Sequence, residues 1–310
     1  MKFSGRLNSF ISKGDKDIYQ TIEAYKSVKG ITHMEFNYPE HIVPFDLDKI
    51  KKVIDGRFQV NGVATRFKDR FIYGEFTNPD ETIRQDAINL VKGAVDACAQ
   101  LNGKYVTVWQ AYDGFDYVFQ MDYEKEWNRM IEAFREIADY AQDKGIKISI
   151  EYKPYEPRNY AMLDSVGTTL LAEDEIGRSN MGMTLDFCHM LMKHDNPAYS
   201  LALVAKKGRL FGLHMNDGYR AMDSGLIFGS VDFSQCLEFV FYLKKYHYDD
   251  VVFFDTFPVR ENTAQEIEMN IQSFKKMDQL IDEVGMEKIE KVINTHDGVK
   301  VQELLLSMIR

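Results

Sequence analysis

The feature that most constrains this chain is a rhythm. Short apolar, β-branched runs alternate with longer stretches of helical spacing, and no Pro- or Gly-rich linker interrupts them across 310 residues. Strands are expected near residues 3–10, 31–36, 58–64, 104–109, 147–152, 181–187, 209–215 and 251–257, the first being the least defined. Helices are expected at 15–28, 47–54, 80–101, 124–144, 165–176, 197–207, 233–245 and 264–284. The clearest is 80–101: Asn78-Pro79-Asp80 opens it, Gly103 closes it, and Ile83, Ala87, Leu90, Val91, Ala94, Val95 and Cys98 recur at helical spacing. Eight such alternations, evenly spaced, predict an α/β fold of one (β/α)8 TIM barrel over residues 1–284, with an extra helical tail at 285–310. An open doubly wound sheet is the rival, and strand count and spacing favour closure. The chain has neither a Gly-rich dinucleotide fingerprint nor a P-loop.

Several function classes are disfavoured by charge and composition. The net charge of -10 argues against a nucleic-acid or anionic-membrane partner. No apolar run is of bilayer-spanning or signal-peptide length. Cys98, Cys188 and Cys236 are scattered and odd in number, which suits reduced thiols and a cytoplasmic location better than a disulfide framework.

The ends of the later strands carry the chemistry. Glu151 and Lys153 stand one residue apart where a buried strand runs into Pro154, although desolvating charge is expensive without a partner. The strand at 181–187 ends in Asp186-Phe187-Cys188-His189, that at 209–215 in His214-Met215-Asn216-Asp217, and that at 251–257 in Asp255-Thr256-Phe257-Pro258. Carboxyl ends of barrel strands converge on one mouth. Three carboxylates and one imidazole, from Glu151, Asp186, His214 and Asp255, make a hard site that suits Mn2+, and also Mg2+ or Co2+. A divalent cation there would remove the repulsion among the acids. Taken singly, each acid reads equally well as a helix cap or a surface charge.

The order of these pieces resembles the xylose-isomerase-like sugar isomerase/epimerase barrels, including their L-rhamnose isomerase branch. The resemblance runs from about Gly74 to Asn262 through Gly74-Glu75-Phe76-Thr77-Asn78-Pro79-Asp80, Trp109-Gln110-Ala111-Tyr112-Asp113-Gly114, Glu151-Tyr152-Lys153-Pro154 and the three strand ends above. It implies that Glu151, Asp186, His214 and Asp255 ligate a metal and that Lys153 polarises a substrate oxygen. It also implies that Trp109 walls a sugar pocket, and Tyr112, Asn216 and Arg158 are assigned to substrate with it. Two-metal relatives use a histidine three places after the strand-end acid, here His189, and two aspartates in a later loop. This chain reads Met222-Asp223-Ser224-Gly225, so the second metal is expected to be weak or absent.

The expected activity is sugar isomerisation or epimerisation through an enediolate, with Glu151, His189 and Asp255 as candidate proton shuttles and His189 as the best free base if no second metal claims it. The alternative is the large subunit of a C-glycoside deglycosidase, a lyase acting on a 3-oxo-glycoside beside a small β-rich partner. Endonuclease IV-like hydrolysis ranks third. Tyr112, Phe115, Tyr117 and Phe119 read as stacking walls or as core. The substrate is a sugar or glycoside, and the apolar tail reads as packing on its own barrel or as a contact in a homo-oligomer.

Overall fold

Apolar runs become strands where side chains on both faces of a sheet can be buried, one face inside the barrel and the other under helices. The computed structural model describes every residue except Lys13, Asp15, Lys16 and Arg310. Its strands in chain order are β1 (Lys2–Gly5), β2 (His33–Tyr38), β3 (Gln59–Thr65), β4 (Tyr105–Val108), β5 (Gly114–Phe115), β6 (Lys147–Glu151), β7 (Tyr160–Ala161), β8 (Met181–Asp186), β9 (Leu210–Met215) and β10 (Val251–Phe254). The main sheet has eight parallel strands in the order β1-β10-β9-β8-β6-β4-β3-β2. Its two outer strands meet where Thr32 N–H donates to the Phe3 carbonyl at 3.0 Å, so the barrel is nearly closed.

The helices are α1 (Asn8–Ile11), α2 (Ile18–Tyr25), α3 (Leu47–Ile54), α4 (Glu81–Gln100), α5 (Tyr123–Gln142), α6 (Val166–Ile176), α7 (Phe187–Met192), α8 (Pro197–Lys206), α9 (Phe233–Lys245), α10 (Thr263–Val284), α11 (Met286–Ile293) and α12 (Gly298–Met308). Most begin as their sequences predict. Asp80, Asp122, Asn196, Asp232 and Asn262 each accept a backbone N–H of the first turn, and Ser165 forms a capping box with Thr168. Phe36, Phe76, Phe134, Phe187, Phe228, Phe239 and Phe274 are fully buried and make up much of the core.

Four expectations need correction. The run at 3–10 divides into β1 and the short helix α1. The run at 251–257 leaves the ladder after Phe254, and Phe257 N–H bonds the Gly225 carbonyl instead, at 2.8 Å. The helix expected at 15–28 is Ile18–Tyr25 with Asp17 as its cap, its first residues lying outside those described. The strand at 181–187 stops at Asp186, and the short helix α7 starts at once. The tail forms two helices; Ile289 and Met308 are buried while Leu306 and Ile309 are exposed. Among the described residues, no helix is long and apolar enough to cross a membrane.

Candidate metal centre

Parallel pairing delivers four side chains to one rim. Glu151 and Asp186 are the last residues of β6 and β8, His214 is next to last in β9, and Asp255 directly follows β10. In the ladder Asp186 pairs with His214, and Phe253 also pairs with His214. One ligand atom from each of Glu151, Asp186, His214 and Asp255 lies within 4.8 Å of the others, and all four residues are buried.

The electrostatics show how crowded the rim is. Burial pushes the Asp186 carboxyl up to about 7, with the charges of Asp223, Glu151 and Asp255 adding to the effect. Burial would also raise Glu151, but the adjoining His214 overrides it and holds the carboxyl at about 2. Burial opposes the imidazolium of His214, yet Glu151 and then Glu35 carry its pKa well above the ordinary value. Asp255 Oδ1 is buried without a hydrogen-bond partner, and Arg6 Nε lies 3.2 Å away. A hard divalent cation fits such a donor set: it takes oxygen and imidazole ligands and offsets the negative charge.

The spacing between Asp186 and His189 has a local cause. Asp186 caps α7, and its Oδ1 accepts the His189 backbone N–H at 3.0 Å. That turn brings the imidazole back over the strand end. His189 Nδ1–H donates to the Tyr152 carbonyl at 2.9 Å, which leaves Nε2 facing Asp223 Oδ2 at 3.2 Å. Burial would lower the imidazole, but Asp186 and Asp223 raise it to about 9. Lys153 Nζ sits 3.1 Å from the same Asp223 oxygen and 3.0 Å from Glu156. Asp186, His189 and Asp223 form a second group able to hold an ion. Gly225 cannot contribute a fourth donor: its φ is +54°, and a Cβ there would lie 2.3 Å from the Phe257 ring.

With this geometry in view, residues 22–288 match the family described as "Xylose isomerase-like TIM barrel". The chain belongs to the xylose isomerase-like TIM barrel family. It is similar to a xylose isomerase from Thermus thermophilus, 28% identical over 246 residues, covering 76% of this chain and 64% of that enzyme's length. The chain therefore spans a little under two thirds of that relative. A solved L-ribulose 3-epimerase superposes with a TM-score of 0.73 at 15% identity, covering 92% of this chain and 97% of that one. The structure of the IOLI protein with a zinc atom bound gives a TM-score of 0.67 at 19% identity, covering 91% and 97%. At these identities the two structures show the shared fold.

Within this xylose isomerase-like barrel the remaining expected residues divide. Lys153 Nζ lies 5.3 Å from the centre of the Trp109 ring, so these two stand together next to Asp223. Arg158 is paired to Asp116 at 2.8 Å, with its guanidinium 6.0 Å from the Tyr112 ring, while Tyr112 N–H donates to Glu75. Both belong to the contact between two rim loops, where β5 pairs with β7. Asn216, expected to contact substrate, is fully buried and braces two of the candidate ligands from behind. Its amide donates to Asp186 at 3.0 Å and to the Asp255 carbonyl at 3.1 Å, and its oxygen accepts Cys188 N–H. Phe115 stacks on Tyr160, but Tyr117 and Phe119 are 74% and 98% exposed and so are not core. His189 is no free base, since both ring nitrogens face oxygen acceptors. Sequence reasoning passed over Arg6, one residue beyond β1, which opens onto a cavity of about 440 Å³ that Asn8, His41 and Phe45 also line. It also passed over Glu35, whose signal was a lone acid in a buried strand, between His33 and Asn37 on the same alternation.

Proposed function

We propose that this protein is a divalent-metal-dependent sugar isomerase or epimerase that works through an enediolate, returning the proton to the adjacent carbon in isomerisation or to the opposite face of the same carbon in epimerisation. The observation that carries this reading is the convergence of Glu151, Asp186, His214 and Asp255 within 4.8 Å, with Lys153 and His189 alongside. Similarity to a xylose isomerase supports sugars as the substrate class, and Mn2+ is the proposed ion, with Mg2+ or Co2+ as substitutes. When bound, the cation supplies Lewis-acid polarisation of a sugar carbonyl and its neighbouring hydroxyl.

The chain's own groups do the rest. Glu151 ends β6 and Asp255 directly follows β10, the outer two of four adjacent strands, with β8 and β9 between them. Two carboxylates so placed can take a proton from a carbon and return one either to the neighbouring carbon or, from the other side, to the opposite face of the same carbon. Burial opposes the Lys153 ammonium, but Asp223 and then Glu156 raise its pKa, so it stays cationic and can stabilise the developing oxyanion. His189, with both nitrogens bonded, orients and donates rather than abstracts. Trp109 closes the pocket beside Lys153. Because the second donor group stops at three residues, proton transfer is favoured over a two-metal hydride shift.

The test is to incubate Mn2+-loaded protein with free aldoses and ketoses in D2O. Isomerised or epimerised sugar carrying solvent deuterium supports the reading, whereas product without deuterium points to hydride transfer. Cleavage of a 3-oxo C-glucoside with no sugar isomerisation would replace this reading with the lyase.

A further inference from the structure

Glu35 lies on β2 and is buried inside the barrel, where apolar side chains usually fill the layers. Its carboxylate is pinned from the next two strands of the sheet, β3 and then β4. Asn61 Nδ2 on β3 donates to Oε2 at 3.0 Å, and the Tyr105 hydroxyl on β4 donates to the same oxygen at 3.3 Å. Asn61 Nδ2 also donates to Tyr105 Oη at 2.6 Å, so the tyrosine hydrogen is directed to Glu35. The other oxygen, Oε1, reaches across the barrel to His214 Nε2 at 3.4 Å. β2 and β9 are not neighbours in the sheet, so this contact exists only because the barrel closes.

A carboxylate accepts and does not donate. By that rule both ring nitrogens of His214 carry hydrogen here, Nε2 facing Glu35 and Nδ1 facing Glu151 Oε1 at 3.0 Å; Nδ1 is the one turned toward the other candidate ligands, so a cation among them would take the place of its hydrogen while Nε2 keeps the one it gives to Glu35. Resting on the metal reading above, we propose that Glu35 is a positioning residue that commits His214 to bind the cation through Nδ1. The acid touches neither substrate nor ion. It fixes the ring's orientation and tautomer and makes Nδ1 a stronger donor, as outer carboxylates do behind metal-bound histidines. This accounts for a buried acid, with its desolvation cost, at a place where a leucine would pack. Asn61 and Tyr105 extend the same device by keeping Glu35 from rotating away.

The experiment uses full-length protein stripped of metal, titrated calorimetrically with Mn2+ as wild type and as Glu35→Gln. Affinity is expected to fall about 10- to 100-fold in the variant, with the melting temperature of the metal-free protein little changed. The visible spectrum of Co2+-loaded protein should shift between the two. Equal affinity and identical Co2+ spectra overturn the role of Glu35 and leave the metal reading standing. No binding to wild type removes the metal reading and this inference with it. Should Glu35→Gln fail to fold, 15N NMR of histidine-labelled, Cd2+-loaded wild type decides. Cadmium coupling to Nδ1 with hydrogen retained on Nε2 upholds the inference, and coupling to Nε2 overturns it.

Discussion

Single side chains in this molecule differ in whether burial is compensated. Glu151 is buried but faces two imidazoles, His214 at 3.0 Å and His189 at 3.8 Å. Replacing it by Gln removes the charge and leaves the shape. Glu151→Gln should weaken Mn2+ binding by more than the roughly 100-fold that loss of an outer-shell partner costs, and should remove sugar turnover with it. Calorimetry and metal analysis check this, and full metal occupancy in the variant would refute the ligand assignment. Glu173 on α6 is the opposite case. It is fully buried, neither oxygen has a hydrogen-bond partner, and burial pushes its pKa from 4.5 up to about 8. Folding therefore takes up a proton between these values. The group's relative stability is fully present below pH 4.5 and is lost as pH rises through about 8. Glu173→Gln should be more stable than wild type by about 1–3 kcal/mol near pH 8.5, with the gap closing toward pH 4.5. Urea unfolding across that range measures it.

At the scale of elements, loops do the aiming and a few carboxylates hold the loops. Asp113 follows β4 and accepts five hydrogen bonds: from Glu75, Phe76 and Thr77 N–H at 2.8, 3.0 and 3.0 Å, from Thr77 Oγ1 at 2.6 Å and from Gln110 Nε2 at 2.5 Å. Glu75 returns the tie by accepting Tyr112 N–H. The two motifs at 74–80 and 109–114 are thus one latch between neighbouring rim loops. Asp113→Ala should cost about 2–4 kcal/mol, because several buried N–H donors lose their acceptor. Chemical denaturation reads this. The loop carrying Asp223 is latched too, by the Phe257–Gly225 bond. Gly225→Asp should therefore destabilise by about 1–3 kcal/mol through overpacking and its positive φ. Pairing it with Phe257→Ala, which clears the space, should recover part of that loss, and two-site metal titration of the double variant shows whether a second ion is gained.

For the whole molecule, the four candidate ligands come from β6, β8, β9 and the end of β10, so an ion held there would tie four neighbouring strands of the barrel together. A cation at 100 times its dissociation constant should add about 2.7 kcal/mol to stability, seen as a rise in melting temperature that EDTA reverses and that Glu151→Gln lacks. Much of this architecture was legible in the chain. Apolar runs and 3.6-residue spacing report which face of a local segment is buried, so the eight barrel strands, the capped helices and the acids at Glu151, Asp186 and Asp255 could be read directly. Short-range capping likewise explains why His189 sits three places after Asp186. What the chain does not display is any pairing across the barrel. Glu35 and His214 are 179 residues apart and meet only through closure, tilt and register. The same holds for Arg6 against Asp255, for Asn216 turning inward behind the ligands, and for the Phe257 ring that forbids a side chain at Gly225. Local periodicity encodes the direction of a side chain relative to its own strand, whereas its partner on a distant strand is decided by how all the strands close together.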